Sequence, residues 1–112
     1  MTVRRIDGHA VSGRSGARFS VGGSSIYQNT TADAISLGGG STAAIDNTVI
    51  NNSGGGIGIG IGATSVVTFF NDNNTITGTE GIKCFNPTFG GIVGDPGTVN
   101  GGIVDCQPGL FP

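Results

Sequence analysis

The 112-residue sequence predicts an all-β fold, a small solenoid of short strands. Three observations lead there: an unusual polar composition, the lack of helical periodicity and an internal repeat. Glycine supplies 23 of the 112 residues, well above the usual ~7%, without the three-residue period of a collagen helix. Asn, Thr, Ser and Gly dominate the polar set, and these residues favour turns and strands over helices. Nowhere do apolar residues recur at helical spacing for three turns.

The repeat supplies the elements in order. Four tripeptides align: Ser24-Ser25-Ile26, Asn47-Thr48-Val49, Asn74-Thr75-Ile76 and Gly97-Thr98-Val99, their apolar members 23, 27 and 23 residues apart. Each is followed by a Gly-rich turn and a second apolar strand, at 34–38, 57–62, 81–85 and 103–106. A third apolar patch precedes the next tripeptide, at 19–21, 43–45, 66–70 and 90–93. Three short strands for every ~23 residues is the pattern of a stacked-coil architecture.

The stretches "IDNTVINNSGGGIGI" and "NDNNTITGTEGIKC" resemble the coil repeat of the right-handed parallel β-helix, the architecture of pectate lyases, tail-spike proteins and secreted bacterial repeat proteins. The likeness spans about residues 19–106. It implies a short right-handed parallel β-helix of about four coils with three strands per coil. It implies little about activity, because lyases, hydrolases, adhesins and structural proteins share the repeat. The arginine-rich signature of pectate lyases is missing, so the resemblance assigns no catalytic residue.

Stacking at ~4.8 Å turns like positions into columns, with inward and outward residues alternating along each strand. The expected inward column of one sheet is Ile26, Val49, Ile76 and Val99; the outward column is Ser25, Thr48, Thr75 and Thr98. On a second sheet, Ile35/Leu37, two of Ile57, Ile59 and Ile61, then Ile82/Cys84 and Val104/Cys106 point inward. Asn47 and Asn74 fall at a turn, where their side chains would form a hydrogen-bonded ladder. Cys84 and Cys106 become vertical neighbours, close enough for a disulfide worth about 3 kcal/mol by loop-closure entropy; the alternative is a pair of reduced, buried thiols. Lys83 and Asp105 would stack outward as a cross-strand pair.

With the isoleucines of "GGGIGIGIG" in the core, Gly58, Gly60 and Gly62 leave an outer face without side chains. A run of strand glycines calls for a reason. Three readings follow: an assembly contact with another subunit, cover by Phe85 from the next coil, or a bare face that binds nothing. The segment 1–18 carries Arg4, Arg5, Arg14 and Arg18 and is expected as a basic cap or arm. The solenoid would occupy 19–112, with residues 107–112, "QPGLFP", as a C-terminal plug. Failure of such caps would leave open coil ends that stack into an oligomer or fibre.

Candidates for chemistry are sparse. Glu80, Lys83 and Asp105 are the weak catalytic candidates, on the grounds that glycan cleavage uses clustered carboxylates; solvated surface charges are the plainer reading. His9, the sole histidine, lies outside the repeat, and no metal or cofactor is expected. After residue 20 the chain has Lys83 as its only cation against six acidic residues, which argues against nucleic acid. No apolar run approaches the ~18 residues of a membrane span. The expected role is a structural or binding module, extracellular or on a cell surface, that self-associates through its glycine-rich sheet or coil ends. The alternative is a carbohydrate-active solenoid, either an enzyme fragment or a polysaccharide-binding module.

Overall fold

The computed structural model describes residues 2–5, 11–62, 64–85 and 91–106, with residues 2–5 and Gln28 described in their backbone alone. The described residues form a parallel β-solenoid of about four turns, with three strands per coil and no helix. Accordingly, no helix among them is long and apolar enough to cross a membrane. Three parallel sheets run along the stack. The first contains β1 (Thr2–Arg5), β4 (Ser25–Gln28), β7 (Val49–Asn52), β10 (Thr75–Thr77) and β13 (Thr98–Asn100). The second contains β2 (Val11–Gly13), β5 (Ile35–Leu37), β8 (Ile59–Ile61), β11 (Ile82–Cys84) and β14 (Ile103–Val104). The third contains β3 (Arg18–Gly22), β6 (Thr42–Asp46), β9 (Val66–Phe69) and β12 (Gly91–Val93).

The interior is a set of β-branched columns. Ile26, Ile50 and Ile76 stack in register on the first sheet. Ile35, Ile59 and Ile82 stack on the second, beside Leu37, Ile61 and Cys84. Val21, Ile45 and Phe69 close the third side. All of these are buried. Isoleucine suits the position because its restricted χ1 costs little in a strand and its branched side chain packs on identical neighbours above and below.

Polar columns mark the corners, where the backbone bends and leaves its own groups unpaired. At the entry to the first sheet stand Ser24, Thr48 and Asn74, each buried. Asn74 Oδ1 accepts from Thr48 N at 3.0 Å, and Thr48 Oγ1 donates to the carbonyls of Asp46 (2.8 Å) and Val21 (3.2 Å). At the entry to the third sheet, Ser41 N donates to Ser65 Oγ at 3.2 Å. Between the first and second sheets Asn52, 3% exposed, accepts from Thr30 N and Gly54 N and donates to the carbonyls of Ala32 and Ile57.

These corners correct the expected register of the second coil. The turn places Asn47 beside Gly23, both with left-handed φ (47° and 56°), and Thr48 beside Ser24. Val49 therefore pairs with Ser25 and Thr75 and points outward, while Ile50 takes the core position. Thr48 is fully buried and does not belong to the outer hydroxyl column, which reads Ser25, Val49, Thr75, Thr98. Nor do Asn47 and Asn74 form a ladder: Asn47 is exposed, and Asn74 bonds the neighbouring backbone of Thr48 and Asn71. The misleading likeness arises because Asn71–Asn73 lengthens the following turn, closed by Asn73 N on Asn71 Oδ1 at 3.0 Å.

Two further differences concern the ends. Residues 2–5 and 11–13 are strands of the sheets, so part of the 1–18 segment expected as a cap or arm builds the first coil. At the other end, Ile103 rather than Val104 stacks on Ile82. The left-handed turn at Asp105 (φ 61°) then brings Cys106 to Cys84, and the two form a disulfide with Cα atoms 4.8 Å apart. His9 and the expected plug at 107–112 lie outside the described residues.

Candidate functional site

The outer face of the second sheet carries the column Ser12, Ser36, Gly60, Lys83, Val104. Gly60 is buried despite facing outward, because two side chains lie across it. A Cβ there would collide with Asp33 Oδ2 and sit 3.3 Å from Phe85 Cε2. Asp33 is carried into place by the turn before β5, where Ala32 N donates to Thr30 Oγ1 and Ala34 N to the Ile57 carbonyl. Phe85 follows β11 directly and is anchored by its N–H on the Ile61 carbonyl at 2.7 Å.

The other glycines have internal duties. Gly58 is buried at a corner, where an added Cβ would lie 2.5 Å from the Gly81 carbonyl oxygen and 2.8 Å from Ile76 Cγ2. One at Gly62 would lie 2.7 Å from the Leu37 carbonyl oxygen. The face at Gly58, Gly60 and Gly62 is thus not a flat, bare surface. At Gly58 and Gly62 the neighbouring backbone leaves no room for a side chain, and at Gly60 the Asp33 side chain fills that room.

What remains open is a groove of about 460 Å³ beside the glycine column, with Arg14, Asp33, Ser36, Gly60 and Phe85 among its lining residues. One aromatic ring, a carboxylate, a guanidinium and the hydroxyls of Ser15 and Ser36 surround a backbone floor. Lys83 flanks the ring, its Nζ 5.1 Å from the Phe85 centroid, a cation–π distance. The same ammonium lies 3.6 Å from Glu80 Oε1. Both partners are partly solvated, so the ion pair contributes less than about 1 kcal/mol.

Of the residues singled out for catalysis, Glu80 and Lys83 meet in that pair. Asp105 does not join them: Lys83 stacks on Val104, and Asp105 is exposed in the next turn. Among the described residues no group of three His, Cys, Asp or Glu side chains is placed to hold a metal ion. On the first sheet, Asn100 Nδ2 donates to Thr77 Oγ1 at 3.0 Å, an exposed rung beside Thr75 and Thr98.

Arg14, Asp33 and Ser36 were not foreseen as site residues. The signal for Ser36 was its 24-residue offset from Gly60; for Asp33 and Arg14 no sequence spacing marks the groove, because both sit in turns. The chain matches no family model, no curated protein and no solved structure.

Proposed function

We propose that the protein is a binding module whose solenoid holds a rigid docking groove on the outer face of its second sheet, and that its ligand is a glycan strand. The observation that supports this most directly is the set Phe85, Asp33, Ser36 and Arg14 around the glycine floor. An aromatic face accommodates the apolar face of a sugar ring, and a few fixed polar groups set the orientation of its hydroxyls. Because the side chains are carried on hydrogen-bonded coils, little ordering is needed on binding. The disulfide fits an extracellular or surface location, since such bridges persist in oxidising compartments.

The test is calorimetric titration of the oxidised protein with a panel of neutral and acidic oligosaccharides. Phe85→Ala should weaken binding by about tenfold or more, equivalent to roughly 1.4 kcal/mol, and Asp33→Asn should shift the preference among sugars. Absence of binding to every sugar at millimolar concentration would refute the glycan reading.

A second reading, self-association, draws on the third sheet. Phe70 is 73% exposed there, beside a shallow groove of about 320 Å³ lined by Arg18, Thr42, Ala44 and Thr68. Light scattering over a hundredfold concentration range decides it: growth in mass that Phe70→Ser abolishes supports association, and a monomer throughout removes it.

A further inference from the structure

We infer that the Cys84–Cys106 disulfide is a redox-sensitive latch on the last coil, and that reducing it releases that coil while the coils before it stay folded. In a solenoid each coil is stabilised by the neighbours it touches. The coil containing β13 and β14 rests on β10 and β11, and among the described residues the third sheet does not extend beyond β12. β14 meets β11 at only two positions, Ile82↔Ile103 and Lys83↔Val104.

Burial changes sharply across this junction. Ile76, Ile82 and Cys84 beneath are buried, whereas the inward Val99, Ile103 and Cys106 are only partly covered. Besides the pairing of β13 on β10 at three positions and the bonds from Gly81 N and Ile82 N to the Gly102 carbonyl, the last coil is therefore fixed by only a small apolar contact. It also includes Gly101, Gly102 and Asp105, each with a left-handed φ (97°, 81° and 61°), and ordering glycine is entropically costly. The covalent bond spanning 22 residues restricts the freedom that the coil would gain by detaching.

Cys106 is the more exposed of the two cysteines, so a thiolate of an external dithiol attacks Cys106 Sγ and Cys84 leaves as thiolate. The second thiol of the reagent then closes on the mixed disulfide and expels Cys106 thiolate. Two electrons pass to the protein, two protons are taken up on forming the thiols, and the reagent is left as a disulfide. Detachment of the coil then uncovers Ile76 and Ile82 and the strand edges of β10 and β11.

Hydrogen exchange followed by mass spectrometry on the full chain, with and without dithiothreitol, tests the latch. On reduction, amides in 98–106 should exchange at least tenfold faster while those of β4 through β9 keep their protection. The Cys84→Ser/Cys106→Ser double variant should show the same pattern without reductant. Unchanged protection of 98–106 after both thiols are detected by alkylation would overturn the inference, because packing alone would then hold the coil. Loss of protection throughout the chain would also overturn it, by making the bridge a support of the whole fold. Resistance of the native bridge to millimolar dithiothreitol would exclude a switch.

Discussion

Val49 and Ile50 stand next to each other on β7, the first 38% exposed and the second fully buried. Replacing each in turn by threonine separates the observed register from the one suggested by aligning Val49 with Ile26 and Ile76. Threonine keeps the β-branch, so strand propensity is nearly constant. At position 49 the hydroxyl would join Ser25 and Thr75 on the outer face and stay solvated, and the cost should be below about 0.5 kcal/mol. At position 50 the same change shortens a side chain packed between Ile26 and Ile76, worth roughly 0.5–1.5 kcal/mol. It also buries a hydroxyl among hydrocarbon, worth about 1–3 kcal/mol more. Ile50→Thr should therefore cost about 1.5–4.5 kcal/mol, a large share of the ~5–15 kcal/mol typical of a folded domain.

Thermal unfolding followed by circular dichroism, with the disulfide intact, reads the difference. At roughly 4 °C per kcal/mol for a chain of this size, Ile50→Thr should lower Tm by about 6–18 °C and Val49→Thr by about 2 °C or less. The reasoning fails if Val49→Thr is the more damaging of the two. That result would put Val49 in the core and turn the whole of β7 over, since a one-residue slip exchanges the two faces of a strand.

Three other substitutions probe the corner and the glycine strand. Asn52→Ala strips partners from Thr30 N, Gly54 N and the carbonyls of Ala32 and Ile57; it should cost roughly 2–4 kcal/mol in urea unfolding, and a loss under ~0.5 kcal/mol would show that water replaces the amide without penalty. Gly58→Ala drives a Cβ against the Gly81 carbonyl and Ile76 and should cost about 1–3 kcal/mol, whereas Gly60→Ala meets the end of the Asp33 side chain rather than backbone and should cost less; the reverse order would mean that Asp33 is held more firmly than the coil corner.

The architecture was legible because a solenoid repeats its own constraints. The three-strand period, the second-sheet pairs Ile35/Leu37 and Ile82/Cys84 with two of Ile57, Ile59 and Ile61 between them, and the nearness of Cys84 to Cys106 all follow from one spacing read several times; which two isoleucines, Ile59 and Ile61, came from the pairing alone. The register of β7 was not legible from local likeness. Asn47-Thr48-Val49 and Asn74-Thr75-Ile76 share residue types, yet Asn47 is a left-handed turn residue and Asn74 is a buried hydrogen-bonding one. Identical letters carry different roles once an insertion such as Asn71–Asn73 changes the length of a turn. Hydrogen bonding at the corner, rather than side-chain type along the strand, decides which residue enters the core.

The groove was harder to foresee for a related reason. Alternation states which way Gly60 faces, but not what lies over it. The cover comes from Asp33, in the turn one coil earlier, and from Phe85, one coil later. Phe85 was among the expected neighbours of the glycines; Asp33 was not, since a turn residue has no period to place it. The column Ser36, Gly60, Lys83 gives the same lesson in chemical terms. A hydroxyl, a bare backbone and an ammonium occupy equivalent positions on successive coils, and the cleft forms where the middle one is missing a side chain. Gly60 faces outward and forms the floor that lets Asp33 and Phe85 approach the sheet, with Phe85 lying over it from the next coil. On the proposed glycan-binding role, Gly60 would act through these two side chains, and Gly60→Ala should weaken oligosaccharide binding in the calorimetric titration; unchanged affinity would remove Gly60 from the proposed site.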